Sequence, residues 1–328
     1  MIVLDTHIDI RWPEPPDWRG ETGQCVDAPR MRAGGMNAAV FIAYVPQGAR
    51  DPAGHRAAGA RAEAMLRHIA ARAEGLADAA FCRTPDEVER AVAAGRLAVL
   101  SAVENGTAMG RDLGRIAQWR ALGAIYCTLT HDGHNDLSDS ARPRAKLGDV
   151  ASEHGGLSPL GRAAVGEMNR AGLLLDLSHV AKPAMLQAVA LSRAPVAVTH
   201  SACAALNPHP RNLDDEQLDA LREAGGLMQI TAVPAFLRAA PPNGAARADV
   251  AALVDHVEHA VRRIGLDHVG ISSDFDGGGA VMGWAHAGET ANVTAELRRR
   301  GYGEREVALL WGGNFLRVWR AALRAAGP

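Results

Sequence analysis

Residues 172–200 read GLLLDLSHVAKPAMLQAVALSRAPVAVTH, an apolar run ending at His179, a longer segment with helical spacing, and a second apolar run ending at His200. Strand, helix, strand is the unit of a parallel sheet, and runs that are apolar almost throughout are expected of strands covered on both faces. Working outward, the same unit recurs. Strands are expected at Ile2–Asp9, Ala38–Val45, Leu97–Val103, Ala124–Thr130, Leu173–Ser178, Pro195–His200, Leu227–Ala232 and His268–Asp274. Eight is the number a closed (β/α)₈ TIM-type barrel needs, so the fold class is α/β, with residues 1–328 forming one barrel domain and extra helices at its C-terminal end. Asp214 with Gln217 resembles a capping box opening a helix that stops at Gly225–Gly226, and Ser158–Pro159 starts another ending near Gly172. Glu304–Ala326 reads as two helices broken at Gly312 and Gly313.

Composition narrows the function classes. The chain has 35 Lys and Arg against 37 Asp and Glu, a formal net charge of −2, and its arginines are scattered, so no stripe offers itself to nucleic acid or an anionic membrane. Acidic Asp5 and Asp9 come too early for a signal-peptide apolar region, and no apolar run approaches the ~20 residues that span a bilayer. The expectation is a cytoplasmic protein. Cys25, Cys82, Cys127 and Cys203 are far apart, without CxxC spacing, and read as thiols that mostly fill the core, Cys127 and Cys203 above all.

The chemistry lies where apolar runs end: His7 and Asp9, Glu104, His131, His179, His200, and Asp274 with Asp276. In a (β/α)₈ barrel these ends converge on one mouth. His7 and Asp9, two apart on a strand, project from one face and can grip one cation. Alone an HxD pair is a weak signal, and a single histidine is better read as a core imidazole. Four such endings on different strands favour a site for zinc or a similar ion. The lysines, Lys146 and Lys182, fall in loop or helix-start sequence, so a bridge between two ions has to be a carboxylate, with Glu104 the candidate. His55, His68, His256 and His259 sit among charged neighbours in helical segments and read as solvated faces. Asp276 is expected to cap the Gly-rich turn after it, and His134, Asp136 and Asp139 to belong to a polar, mobile loop over the mouth.

Taken together, DTHID, Glu104-Asn105-Gly106, TLTH (128–131), GLSPLGRAAVGEMNRAGLLLDLSHV, VTHSA, HPRNLDDEQL, HVGISSDFDGG and GGNFLRVW resemble the membrane (renal) dipeptidase family, zinc peptidases of the amidohydrolase-like barrel type. That resemblance runs nearly end to end. It implies that His7 and Asp9 hold a first metal, His179 and His200 a second, and that Glu104 bridges both. It implies that His131 contacts the scissile carbonyl or its tetrahedral successor, Arg211 the substrate carboxylate, and Asp274 transfers the proton. The implied activity is hydrolysis of small dipeptides by hydroxide bridging two divalent ions, most simply zinc, with tolerance of a D-residue at the C-terminal position and a homodimeric assembly. Two other readings stand beside it. One is another amidohydrolase-type reaction on the same metals, such as N-acyl amino acid deacylation or lactam opening. The other, a catalytically silent small-molecule binding protein, is disfavoured because such a protein has no need of every ligand plus Asp274.

Overall fold

The structure, a computed structural model, describes residues 1–327. Its strands are β1 (Leu4–Asp9), β2 (Ala38–Tyr44), β3 (Ala79–Phe81), β4 (Leu97–Glu104), β5 (Ala124–Thr128), β6 (Leu174–Asp176), β7 (Ala197–Ser201), β8 (Leu227–Thr231) and β9 (Val269–Ser272). Eight run parallel in the order β1-β2-β4-β5-β6-β7-β8-β9, and helices lie between them. The ring is nearly closed: Asp9 N–H donates to Phe275 O at 2.9 Å and Asp274 N–H to His7 O at 3.1 Å, joining the end of β9 to β1. A TIM-type barrel results, with every expected strand in place. Sequence reasoning missed β3, a three-residue strand too short to show periodicity. It pairs with the first residues of β4, beside the point where β5 takes over from Ser101 onward.

The strands form because β2 (AAVFIAY) and β4 (LAVLSAVE) are apolar almost throughout and buried on both faces. Helix boundaries follow local chemistry. The helix Pro159–Ala171 starts at a Ser158 cap and ends at Gly172 with φ 67°, and Asp215–Glu223 opens with the Asp214/Gln217 capping box. The final segment differs from expectation. Gly312 and Gly313 do not break it but sit in a π-helical turn, Leu309–Gly313, continuous with helices on either side. A Cβ on Gly312 would lie 3.2 Å from Ile2 Cγ2, so the glycine lets this turn press against the chain leading into β1. Beyond it, Phe315, Leu316 and Trp319 join the cluster of Leu4, Val40, Leu100, Tyr126 and Leu227, placing the last helix against the barrel interior away from the mouth.

Two further expectations are corrected. His256 is buried, not solvated: its Nδ1 accepts from Cys203 N–H at 3.0 Å and its Nε2 lies 3.0 Å from Leu237 O, a core histidine satisfied on both nitrogens. The cysteines agree with expectation: all four are free thiols, three of them buried. The loop after β5 is packed, because its polar groups find partners within the chain. His134 is buried between Val150 O and Ser140 N–H, and Asp139 accepts from Ser152 Oγ and the backbone of Glu153, His154 and Gly156. Among the described residues, no helix is long and apolar enough to cross a membrane.

Candidate active site

At the C-terminal ends of the strands lies a cavity of about 800 Å³ lined by Asp9, Glu104, His131, His179, His200, Arg211 and Asp274. His7 is fully buried beneath it. All eight residues singled out from the sequence therefore meet in one place, while Lys146 and Lys182 do not line it. Lys182 instead pairs with Asp214 and Glu216.

Glu104 is the centre. Its Oε1 lies 3.6 Å from His7 Nε2, 3.2 Å from His179 Nε2 and 3.4 Å from His200 Nε2. Each imidazole is turned by an oxygen behind it. Tyr126 donates its hydroxyl to Thr6 O at 2.8 Å, so its oxygen is free to accept from His7 Nδ1 at 2.9 Å. Thr199 donates to Asp176 at 2.9 Å and takes His200 Nδ1–H at 3.0 Å. His179 Nδ1 faces Asp132 Oδ1 at 3.5 Å. Backing of this kind fixes the tautomer and presents Nε2 as a ligand.

Those donors fit metal ions. His7 Nε2 is a buried nitrogen with no hydrogen-bond partner, a costly arrangement unless something electropositive completes it. Ligand atoms of His7, Glu104 and His200 all lie within 4.8 Å of one another, as do those of Glu104, His131 and His179, and of His7, Asp9 and Asp274. Imidazole nitrogen with carboxylate oxygen suits zinc. The grouping differs in one respect from the expected pairing, since the His200 ring is nearer His7 (3.9 Å between centroids) than His179 (5.0 Å).

Electrostatics point the same way. Burial alone would raise the Glu104 carboxyl, but the three imidazoles hold it well below the ordinary carboxylate range. Burial opposes a charge on His7, yet Glu104 and the nearby aspartates push it up to about 10. Burial and the neighbouring His179 bring His131 down to about 3, and burial with His7 keeps His200 neutral. Asp274 is pushed up to about 7, first by burial, with Glu104 adding to it and His7 and Arg211 opposing. Arg211 is buried, lowered by that burial to about 10, and anchored by Nη2 to His200 O at 3.3 Å.

The backbone is bent to make the site. The non-glycine residues with positive φ among those described are Asn105, His179, Asp274 and Asp276, each just past a strand end at the mouth. Such conformations cost on the order of 1–3 kcal/mol and cluster at functional sites. Gly277 is needed for close approach: a Cβ there would fall 2.0 Å from Asp9 Oδ2 and 2.5 Å from Asp274 Oδ1. Asp276 does not cap that turn but accepts from Cys25 N–H at 2.9 Å, tying the loop after β1 to the rim. Sequence reasoning missed Tyr126, Asp132, Asp176 and Thr199. Tyr126 had a usable signal, a polar inward position two before Thr128 on β5, and Asp132 directly follows His131 in the sequence.

The family described as membrane dipeptidase (peptidase family M19) matches residues 1–327. Dipeptidase tcpJ of Claviceps purpurea is 39% identical over 236 residues, which cover 72% of this chain and 53% of that protein. The chain spans about half the length of the curated relatives it matches. Among solved structures, the probable dipeptidase PvdM of Pseudomonas aeruginosa superposes with a TM-score of 0.90 at 28% identity, covering 99% of this chain and 96% of that one. A metallo peptidase from Rhodobacter sphaeroides, solved with a phosphinate mimic of the dipeptide L-Ala-D-Ala, superposes with a TM-score of 0.87 at 27% identity, covering 98% and 99%.

Proposed function

This chain belongs to the membrane dipeptidase family, peptidase family M19, and from that premise we propose that it hydrolyses the peptide bond of small dipeptides with two divalent ions, zinc in the first instance. The observation that carries the reading is the convergence of three Nε2 atoms on one Glu104 oxygen. His7 and Asp9 would hold one ion, His179 and His200 the other, and Glu104 both. When bound, such ions acidify a water and polarise the scissile carbonyl.

The chain's own residues divide the remaining work. His131, kept neutral, donates to the carbonyl oxygen as charge develops on it. Asp274, buried with a raised pKa, takes a proton from the attacking water and returns it to the departing amine. Arg211 presents a planar fork with a free Nε to the C-terminal carboxylate, which favours short peptides over internal bonds. A D-residue at the C-terminal position is accommodated in this reading because selection there rests on the carboxylate. The L-Ala-D-Ala mimic bound by the Rhodobacter sphaeroides peptidase supports that extension. The test is turnover by the zinc-loaded protein: dipeptides with a free amine should be cleaved and their N-acetylated counterparts spared. The reverse preference would replace this reading with N-acyl amino acid deacylation.

A further inference from the structure

Four arginines line the cavity: Arg11, Arg61, Arg142 and Arg211. Of these four, only Arg142 has a carboxylate partner among the described residues, Asp132 at 3.3 Å. Arg211 is already assigned above to the C-terminal carboxylate. Arg11 is exposed, and Arg61 is the other unpaired guanidinium, half-buried on the helix Pro52–Glu74; one bond holds it, Nε donating to Tyr44 O at 3.2 Å, which leaves both Nη groups unused. Free guanidinium donors facing a cavity can receive an anion in charge-assisted, bidentate hydrogen bonds.

Position says which anion. Arg61 is anchored at the end of β2, and Arg211 at the end of β7 through His200 O. In the eight-strand ring β2 is second and β7 sixth, so the two arginines stand on opposite walls with Glu104 and its imidazoles between them. A dipeptide whose carbonyl lies at Glu104 and whose C-terminal carboxylate meets Arg211 must turn its first residue toward Arg61. Tyr44, whose carbonyl holds Arg61, and Trp12, whose ring lies 5.9 Å from that of His68 on Arg61's own helix, also line the cavity and offer faces for side-chain methylenes. The free α-amine has its own counter-charge in Asp276, which also lines the cavity.

We propose that the wall formed by Arg61, Trp12 and Tyr44 reads the side chain of the substrate's first residue and selects a carboxylate, so that the preferred substrates are dipeptides beginning with glutamate or aspartate. This rests on the dipeptidase reading and names its substrate class. The test is kcat/KM of the zinc-loaded full chain on Glu-Ala, Ala-Ala and Lys-Ala. Glu-Ala should exceed Ala-Ala by on the order of 10- to 100-fold, the range a charge-assisted hydrogen bond supplies. Arg61→Met should bring that ratio close to unity, and Arg61→Glu should turn the preference toward Lys-Ala. Each ratio comes from one protein sample, so a reduced folded fraction cancels. Arg61→Gln, which keeps a donor for Tyr44 O, gives a second variant should the methionine form fold poorly. A wild type that prefers Ala-Ala or Lys-Ala, or variants that keep the Glu-Ala preference, would overturn the inference while leaving the dipeptidase reading standing. If none of the three is cleaved, the dipeptidase reading fails and takes this inference with it.

Discussion

Two layers of carboxylates occupy the mouth end of the barrel, and they behave differently. In the lower layer, Asp176 accepts five hydrogen bonds, from Thr128 Oγ1, Ser178 N–H and Oγ, and Thr199 N–H and Oγ1, at 2.6–3.1 Å. Asp5 is only half satisfied: Oδ1 takes backbone N–H groups of His7 and Ser273, while buried Oδ2 has no partner and burial pushes the carboxyl up to about 6. In the upper layer Glu104 has no donor but the imidazole nitrogens around it, and Asp9 and Asp274 crowd together across Gly277. Asp176 and Glu104 are alike in being buried carboxylates. What separates Asp176 from Glu104 is whether the chain itself fills the oxygen lone pairs: the saturated carboxylate is a strut, and the open one is free to take a cation.

The largest expected effect breaks that contrast directly. Glu104→Gln should lower turnover on the order of 10³-fold or more, as expected when one member of a catalytic unit is lost, with bound metal reduced. Asp176→Asn should cost stability instead, about 2 kcal/mol or more for the weakened charge-assisted bonds, read as a lower denaturation midpoint. Equal losses of metal in both variants would erase the distinction between the layers.

Next comes Asp274→Asn, expected to lower kcat by about 10²–10⁴-fold, the usual worth of a general base, while metal stays bound. A base must be ionised to act. Since burial raises the Asp274 pKa to about 7, activity should rise with pH on the acid limb, with bound cations moving that limb lower. Residual activity of the asparagine variant should lack the limb.

Smaller effects sharpen the role of the groups behind the ligands. Asp132→Asn weakens the oxygen facing His179 Nδ1, and a loss of about 10- to 100-fold in metal affinity is expected, measurable by competition with a chelator. Tyr126→Phe removes the acceptor of His7 Nδ1 but leaves Nε2 in place, and should fall near the lower end of that range, about 10-fold.

Much of this arrangement is legible in the sequence because barrel topology turns strand ends into neighbours. LLLDLSH, PVAVTH and LSAVE each announce a polar residue closing an apolar run, and the fold brings His179, His200 and Glu104 together without further instruction. What the sequence does not reveal is saturation. Asp5 and Asp176 stand in the same motifs as His7 and His179, and only the cross-strand hydroxyl of Thr199 and the turn at Ser178 show that Asp176 is occupied. His256 was hidden for a similar reason: charged neighbours suggested a wet face, but its partners, Cys203 and Leu237, are far away in the chain. The π-helical turn at Gly312 is equally invisible, since it answers to contact with Ile2 rather than to helix propensity.

The central claim is that Glu104 and its ring of imidazoles hold a pair of cations. Anomalous scattering measured on zinc-loaded crystals on both sides of the zinc absorption edge tests it most directly. Two peaks are predicted, one on each side of the Glu104 carboxylate, with His7 and Asp9 at one and His179 and His200 at the other. A single peak, or peaks away from Glu104, would contradict the account.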